Sequence, residues 1–446
     1  MDKISRYLLH FIFFYTCIEG LVINIKYPAL LPYVYKDIVI LLVYFFVFGA
    51  KPKKLVNPSP AVNKLMFPLF FFSSIMVIYL ISADFSVGLV TLKQRLFYIP
   101  MISIGYLFVR SEKDFKNFVT LLALYAIGAS IFGIYLYFVG QDGLTRLGAN
   151  YFIPYYTPGA AAGIEYWRVP GTFTSPGQYG VYLGFNGLII TALLMTKSIS
   201  NLQKLIACLS LILIILAMFV SGSRTPFLIF SASVAVLLLC SGKLTRIIKW
   251  GLIGYAIAAF GFSLLGSAVQ TRFESIASST QVERFQTSYF GQLFLPALLE
   301  NPLGSGLGTA TLGARHIIGP GKEVQLMESY LGIIAVETGI LGLAAFMWIC
   351  CTIGRLIFRL RRFIQKSHFR IIWYALSVHV FFTILALPVY AVLDAAPGNL
   401  YFWFSVGALI KIADIERRKK AHDLGGEEKP TGIYPKAVRS LNRPNS

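Results

Sequence analysis

The sequence predicts an all-α, polytopic integral membrane protein with about 12 transmembrane helices and two long outer loops. Of its 446 residues, 56% are hydrophobic and only 13% are charged, whereas a soluble chain carries roughly a quarter charged residues. The mean hydropathy of +0.68 agrees with this composition. The apolar residues form segments near the ~20 residues that cross a bilayer. Basic clusters separate alternate segments, as expected of a multi-pass protein.

The apolar segments give the predicted spans in order. They lie at 7–24, 31–50, 65–83, 95–109, 117–139, 178–196, 204–221, 226–241, 247–265, 329–350, 371–390 and 398–413. The first span resembles a signal peptide, but no small-residue cleavage site follows it, so we expect it to be retained. The fourth span is short, and the preceding segment VGLVTLKQRLFYI fits an amphipathic stretch in the membrane interface.

Basic clusters set the predicted orientation. AKPKKLV, GKLTRIIK and RLIFRLRRFIQKSHFR mark the cytoplasmic side, and this assignment places most of the 40 Lys and Arg there. An even number of spans places the C-terminus on the same side of the membrane as the N-terminus, the cytoplasmic side. Residues 1–413 are therefore predicted to form one transmembrane domain, followed by a basic, disordered cytoplasmic tail, 414–446, near anionic lipid. The net charge of +20 follows topology and does not indicate nucleic-acid binding.

Two long outer loops remain, at about 140–177 and 266–328. Loops of this length are usually functional, and the second has room for roughly two or three short helices, one of them within 281–299. The cations expected on this side are mostly arginines, which suit bidentate binding of phosphate. They are Arg95, Arg146, Arg168, Arg224, Arg272, Arg284 and Arg315.

Two of these arginines stand beside turn motifs. The segment SGSRTP places Arg224 in a tight outer turn, against the positive-inside bias. Arg224 either snorkels to lipid headgroups or binds an anion at the N-terminus of the span opened by Pro226, where the helix dipole adds to its field. Arg168, in RVPGTFTSPGQYGVYL, either belongs to a loop that only needs its turns or approaches the same face as Arg224.

The stretch 301–343 changes from a Gly-rich loop directly into an apolar helix, and it is predicted to form the floor of an active site at a membrane surface. Gly304, Gly306 and Gly308 follow no predicted strand, which argues against a nucleotide-binding loop. Their backbone N–H groups could still approach a phosphate or a sugar closely.

Two glutamates follow the Gly-rich loop, nine residues apart and therefore about 180° apart on a helix. Glu328 lies at the expected aqueous mouth and is the candidate base. Glu337 lies deeper and is expected to bond neighbouring helices or the backbone. Accessory candidates near the site are Arg272, Arg315, His316 and Tyr330. A lone histidine in an exposed loop is usually only solvated, so His316 ranks below Glu328.

Other ionisable residues lie in or near spans, where they need partners and suggest function. They are Glu19, Asp37 and Asp394, and Lys36 is expected to neutralise Asp37. The cysteines, Cys17, Cys208, Cys240, Cys350 and Cys351, fall in or at the edges of apolar segments. We predict neither a disulfide framework nor a metal site from them.

These motifs resemble those of the O-antigen ligase/polymerase superfamily of bacterial membrane enzymes. The resemblance rests on SGSRTPFL, residues 168–173, NPLGSGLGT and ESYLGIIAVETGILGL, and it covers about 165–345 in motifs and the whole chain in span count and loop layout. It implies a GT-C-like glycosyltransferase architecture in the plasma membrane. The implied activity is metal-independent, inverting transfer of polyprenyl-pyrophosphate-linked glycans on the outer face, without a cofactor.

The resemblance also assigns residues. Outer arginines of the family hold the lipid pyrophosphate, and the matching positions here are Arg224 and either Arg168 or Arg284. The ligases carry a His–Asn-type pair nine residues before the Glu of an E-x-G-x-x-G pattern, where this chain has Glu328 and Ser329. This departure favours a polysaccharide polymerase over lipid A ligation. Flippase and chain-length regulator proteins are then candidate partners, besides the membrane lipids.

The chemistry of the reaction agrees with these residue types. Polyprenyl pyrophosphate is already a good leaving group, so the enzyme needs cations for developing negative charge more than a general acid. An acceptor hydroxyl benefits from a nearby base such as Glu328. One alternative is a ligase that moves finished glycan to a terminal lipid or protein acceptor. Another, of a different class, is a polysaccharide or lipid-linked sugar transporter.

Overall fold

The structure, a computed structural model, is nearly all helical. It describes residues 3–24, 31–49, 59–81, 84–146, 156–158, 165–196, 199–241, 244–274, 294–311, 329–364 and 369–423. Within these ranges six helices are long and apolar enough to cross a membrane, starting at Lys3, Pro60, Glu112, Pro176, Asn201 and Tyr330. The prediction of an all-α membrane protein is confirmed at this level, and the number of 12 spans stays a prediction.

The first half of the bundle contains six helices and a short hairpin. They are α1 (Lys3–Asn24), α2 (Leu31–Tyr44, continued by a π-helical turn Phe45–Gly49), α3 (Pro60–Leu80), α4 (Phe85–Leu96), α5 (Met101–Phe108), α6 (Glu112–Arg146), β1 (Tyr156–Pro158) and β2 (Glu165–Trp167). The predicted fourth span is divided, because α4 ends at Leu96 and α5 begins at Met101. The strands β1 and β2 pair antiparallel, with Tyr156 opposite Trp167.

The second half adds the remaining helices. They are α7 (Pro176–Met195), α8 (Asn201–Ser221), α9 (Arg224–Cys240), α10 (Leu244–Leu265), α11 (Ser267–Glu274), α12 (Phe294–Glu300), α13 (Tyr330–Ile364), α14 (Arg370–Ala386) and α15 (Gly398–Asp423). Two short helices, α11 and α12, lie in the second predicted outer loop, and α12 covers the end of the helix expected within 281–299.

Local sequence signals explain where several helices begin. Ser175 accepts a hydrogen bond from the backbone N–H of Gln178, and Pro176 follows at the first helical position of α7. Ser200 and Gln203 form a reciprocal capping box at the start of α8. Each device satisfies backbone donors that the first helical turn leaves unpaired.

Small residues bring the middle of the bundle into close contact. A Cβ added at Gly105 of α5 would lie 2.1 Å from the carbonyl oxygen of Phe404 in α15. A Cβ added at Gly407 would lie 1.8 Å from the carbonyl oxygen of Ile102. Such backbone-to-backbone packing is typical of helices in membranes, where small residues allow close approach.

Polar contacts define one end of the bundle. An Arg6 Nη2 donates to the carbonyl of Phe108 at 3.0 Å, so α1 begins where α5 ends. The Tyr106 hydroxyl donates to Asp414 Oδ2 at 2.9 Å, which brings this part of α15 to the same end. Gln203 Nε2 donates to Asn117 Oδ1 at 3.3 Å, which adds the starts of α6 and α8.

The opposite end, called the site end below, collects the start of α7, the end of α8 and the start of α9. Ser223 Oγ, between α8 and α9, donates to the carbonyl of Pro176 at 2.8 Å. The segment after α14 belongs there too, because a Cβ added at Gly177 would meet the Tyr390 hydroxyl at 2.6 Å. The backbone N–H of Leu331 donates to the carbonyl of Leu387 at 3.2 Å, which places the start of α13 at this end.

Candidate functional site

Arg168 is joined to the turn between α8 and α9. An Arg168 Nη2 donates to Ser223 Oγ at 3.0 Å. One residue further, the Val169 backbone N–H donates to the carbonyl of Val220 at 3.2 Å. Since Arg224 directly follows Ser223, these bonds place Arg168 beside the turn that leads to Arg224.

Arg224 is the first helical residue of α9, and two glycines shape its surroundings. Gly222 ends α8 in the left-handed region, with φ 57°, which reverses the chain within two residues. Gly180 of α7 lies against the start of α9, since a Cβ added there would stand 3.0 Å from Pro226. Arg224 is therefore held beside backbone N–H groups of a first helical turn, where the helix dipole favours anions.

A third arginine, Arg272, lies on α11, which packs against α8 and α9. It precedes Phe273 of α11, whose ring lies 5.2 Å from that of Phe219 in α8 and 5.0 Å from that of Phe227 in α9. Val169 and Val220 belong to the same apolar cluster. We call Arg168, Arg224 and Arg272, which are all half-buried, the arginine cluster.

The Gly-rich loop serves a different purpose from the predicted one, because it inserts into a break in α13. The Ile340 backbone N–H donates to the carbonyl of Pro302 at 2.9 Å. In the opposite direction, two loop residues donate to the helix. The Ser305 N–H donates to the carbonyl of Val336 at 2.7 Å, and the Gly306 N–H donates to that of Glu337 at 3.1 Å. The loop therefore supplies hydrogen bonds that the helix loses where Gly339 adopts φ 61°.

These contacts explain the glycines and correct their predicted role. A Cβ added at Gly304 would lie 2.6 Å from the backbone nitrogen of Gly339, so only glycine permits the contact. Gly304 N–H donates to the carbonyl of Asn301, Gly306 N–H to that of Glu337, and Gly308 N–H to the Glu337 carboxylate. All three N–H groups, which were predicted to bind pyrophosphate, therefore have acceptors within the chain in this structure.

The loop also closes a buried ion cluster around Arg95. An Arg95 Nη1 lies 2.8 Å from Asp394 Oδ1, and its Nη2 lies 3.3 Å from Glu337 Oε2. The same Nη2 donates to Thr311 Oγ1 at 3.0 Å, and Thr311 donates in turn to Glu337 Oε1. The guanidinium carbon stands 4.8 Å from the centre of the Tyr330 ring. We call these five residues the Arg95 cluster.

This arrangement changes the expectation for Arg95 and Tyr330. The Arg95 side chain is fully buried and already faces two carboxylates, so it is not an outer cation open to phosphate. The accessory candidate Tyr330 is 3% exposed and packs against Arg95 instead of joining the arginine cluster. Glu337 bonds other segments and the backbone, as its depth in the sequence led us to expect.

Several predicted site residues fall outside the described residues. They are the candidate base Glu328, the candidate pyrophosphate ligand Arg284, and the accessory residues Arg315 and His316. The described chain resumes at Ser329, whose hydroxyl donates to the carbonyl of Leu387 at 3.2 Å.

A second charged cluster joins α1, α2 and α4. Lys36 Nζ lies 2.5 Å from Glu19 Oε1, and Lys93 pairs with Asp37. The expectation that Lys36 neutralises Asp37 is therefore wrong, because neighbours on a helix point in different directions. We call Glu19, Lys36, Asp37 and Lys93 the paired-lysine cluster. Lys93 was not a sequence candidate, since a lysine near the end of an amphipathic helix gives no signal of its partner.

Among the residues that the structure describes, no group of three or more His, Cys, Asp or Glu side chains could hold a metal ion.

No protein-family model matches this chain, and no curated protein matches it. Membership of the O-antigen ligase/polymerase superfamily therefore stays a proposal, which the geometry of the site end has to support.

Proposed function

We propose that the protein is a membrane glycosyltransferase that polymerises a cell-surface polysaccharide. It joins polyprenyl-pyrophosphate-linked repeat units by metal-independent, inverting transfer at the outer face of a bacterial plasma membrane. In this proposal both termini are cytoplasmic and the site end faces outward.

The observation that carries the proposal is the bond between Arg168 and Ser223, beside Arg224. It joins residues that are 55 positions apart and holds the Arg168 guanidinium beside the turn that leads to Arg224. Guanidinium groups match the oxygens of phosphates in charge and geometry. In this proposal the polyprenyl chain of the carrier lies among the apolar helices, and its pyrophosphate lies at the site end.

The reaction fits the guanidinium groups of the arginine cluster. In an inverting transfer, the acceptor hydroxyl attacks the anomeric carbon while the bond to pyrophosphate breaks, and negative charge grows on the leaving oxygen. Preorganised cations at that position stabilise the transition state more than the ground state. Arg224 and Arg168 are the residues we assign to this role, with Arg272 as the accessory cation.

The test is polymerisation by the purified protein in liposomes. The substrate is the lipid-linked repeat unit extracted from cells in which the gene is deleted. We expect ladders of increasing glycan length from the wild-type protein, and a loss of roughly 100-fold or more in rate from Arg224→Ala and from Arg168→Ala. The control is Arg359→Ala, which removes an exposed arginine of α13 beyond its break and should polymerise normally. Normal ladders from both site variants would exclude the assignment.

A transporter is the second candidate, and the break in α13 favours it. Transporters often place interrupted helices and ionisable residues at their substrate sites, and here Gly339 interrupts α13 beside Glu337. The same liposomes decide between the two functions. Glycan lengthening without any ion gradient or exchange across the membrane excludes a purely transporting protein, whereas gradient-dependent movement of the repeat unit without lengthening excludes the polymerase.

A further inference from the structure

The paired-lysine cluster contains a carboxylate oxygen that lacks a hydrogen-bond donor. Asp37 is 8% exposed, and its Oδ2 pairs with Lys93. Its Oδ1 is buried, and no described residue donates to it. A buried acceptor without a donor costs free energy, more so on a charged group. A ligand that brings a hydroxyl hydrogen to this oxygen would remove that cost.

Asp37 is also connected to the arginine cluster. Glu19 of α1 binds Lys36, the neighbour of Asp37 on α2. The next residue of α1, Gly20, lies against the turn before α7, since a Cβ added there would stand 2.2 Å from the backbone of Phe173. Phe173 follows Arg168 in the short turn that leads to Pro176, so the turn that carries Arg168 also packs against the neighbour of Glu19.

The cluster is open on one side. The Lys93 side chain is 43% exposed, while the Lys36 side chain is 8% exposed and forms an ion pair with Glu19. The Lys93–Asp37 pair therefore lies nearer the surface than the Lys36–Glu19 pair. A polar ligand that approaches Asp37 from the side of Lys93 would leave the buried Lys36–Glu19 pair intact.

We propose that Asp37 is the acceptor site and the general base of the transfer, with a sugar hydroxyl as its ligand. This inference rests on the proposed function. The acceptor oxygen forms its bond to the anomeric carbon of the donor as the bond between that carbon and the pyrophosphate oxygen breaks. The electron pair of the broken bond leaves with the pyrophosphate, and the hydroxyl proton passes to Asp37 Oδ1. Lys93 is a positioning residue, which holds Oδ2 so that Oδ1 faces the acceptor.

The first test replaces the carboxylate by an amide of the same shape. In the liposome assay, we expect Asp37→Asn to lower kcat by about 100-fold or more, the contribution typical of a general base, with little change in KM for the donor. The matched control is Asp114→Asn, which also removes a carboxylate from an ion pair, with Arg6, at the opposite end of the bundle. This control should keep wild-type kcat.

The second test separates catalysis from structural damage. Azide is a nucleophile that carries no proton to remove, so it needs no base. We expect Asp37→Ala, given sodium azide and the lipid-linked repeat unit, to recover donor turnover and to form a glycosyl azide of inverted configuration. The double variant Asp37→Ala with Arg224→Ala should not recover donor turnover with azide, because the leaving pyrophosphate then lacks the Arg224 guanidinium.

The outcomes distinguish this inference from the proposed function. Wild-type polymerisation together with unchanged kcat in Asp37→Asn would overturn the role of Asp37 and leave the polymerase standing. A slow Asp37→Ala variant that azide does not rescue would also overturn it, since a structural role predicts that result. A wild-type protein that never lengthens glycan would overturn both.

Discussion

At the scale of single residues, Arg95 shows how one guanidinium can organise a membrane protein. It bridges α4, the Gly-rich loop, α13 and the segment that holds Asp394. A planar fork with several donors can serve these acceptors together, which a lysine ammonium does less well. Buried ion pairs contribute little net stability when intact, but removing one partner leaves buried charge without compensation.

We therefore expect Arg95→Ala to destabilise the protein by about 3–5 kcal/mol, because two carboxylates would remain in a buried site. Arg95→Lys should recover only part of this loss. The measurement is thermal unfolding of the purified protein in detergent, with Arg359→Ala as the exposed control. Equal midpoints for Arg95→Ala and the wild-type protein would show that the cluster is not needed for the fold.

Gly339 gives a second prediction at this scale. Its φ of 61° is unfavourable for other residues, and an added Cβ would stand 2.2 Å from the carbonyl oxygen of Pro302. We expect Gly339→Ala to cost at least about 1–2 kcal/mol. In the same helix, Gly354 has open space around its Cβ position, so Gly354→Ala should be neutral or stabilise by up to about 1 kcal/mol. The same unfolding measurement compares the two, and similar midpoints would contradict the strained geometry.

At the scale of elements, α13 and the Gly-rich loop form one unit. Backbone groups that a continuous helix would pair internally are paired here by Ser305, Gly306 and Pro302. A Gly-rich loop outside a regular element usually exchanges its amide hydrogens quickly, because it lacks stable acceptors. The bonds in this structure lead to the opposite expectation.

We expect the amides of Ser305, Gly306 and Gly308 to exchange about as slowly as those of helical residues. Glu337→Gln should increase exchange at Gly308, whose N–H donates to the Glu337 carboxylate at 3.0 Å. Hydrogen exchange followed by mass spectrometry measures both effects. Rapid exchange of this peptide in the wild-type protein would mean that the loop does not stay docked in α13.

At the scale of the whole molecule, the contacts separate two ends of the bundle, and the proposed orientation assigns each end a side. Asn201 begins α8 at the end that also holds Arg6, whereas Gln270 is exposed on α11, which packs against the apolar cluster at the site end. In a background without the native cysteines, Gln270→Cys should react with a membrane-impermeant maleimide in intact cells. Asn201→Cys should react only after the cells are opened. The reverse pattern would place the arginine cluster in the cytoplasm and contradict a site on the outer face.

The sequence predicted the parts of the fold that depend on local or one-dimensional patterns. Apolar segments located the helices, although the predicted fourth span proved to be two elements, α4 and α5. Topology alone placed Arg168 and Arg224 on one face, and their contact through Ser223 agrees. These predictions needed only hydropathy and the alternation of spans.

Pairings between distant residues could not be predicted in the same way. Arg95 and Asp394 are 299 positions apart, and each has several possible partners in the sequence. Lys36 and Asp37 are neighbours, yet each pairs with a residue on another helix. The Gly-rich loop has the composition of a phosphate-binding loop, and only its three-dimensional contacts reveal that its donors are already used. A single sequence carries no signal for such choices.

Because the Gly-rich loop is docked into the break in α13, the number of residues between Pro302 and Gly308 is fixed. Pro302 accepts from Ile340 on one side of Gly339, while Ser305 and Gly306 donate to Val336 and Glu337 on the other side. A one-residue insertion after Pro302 would move a side chain into the position that Gly304 now holds against Gly339. Surface loops usually tolerate insertions and deletions. This loop should tolerate none between Pro302 and Gly308, and a library of single-residue insertions scored for folded protein would map that limit residue by residue.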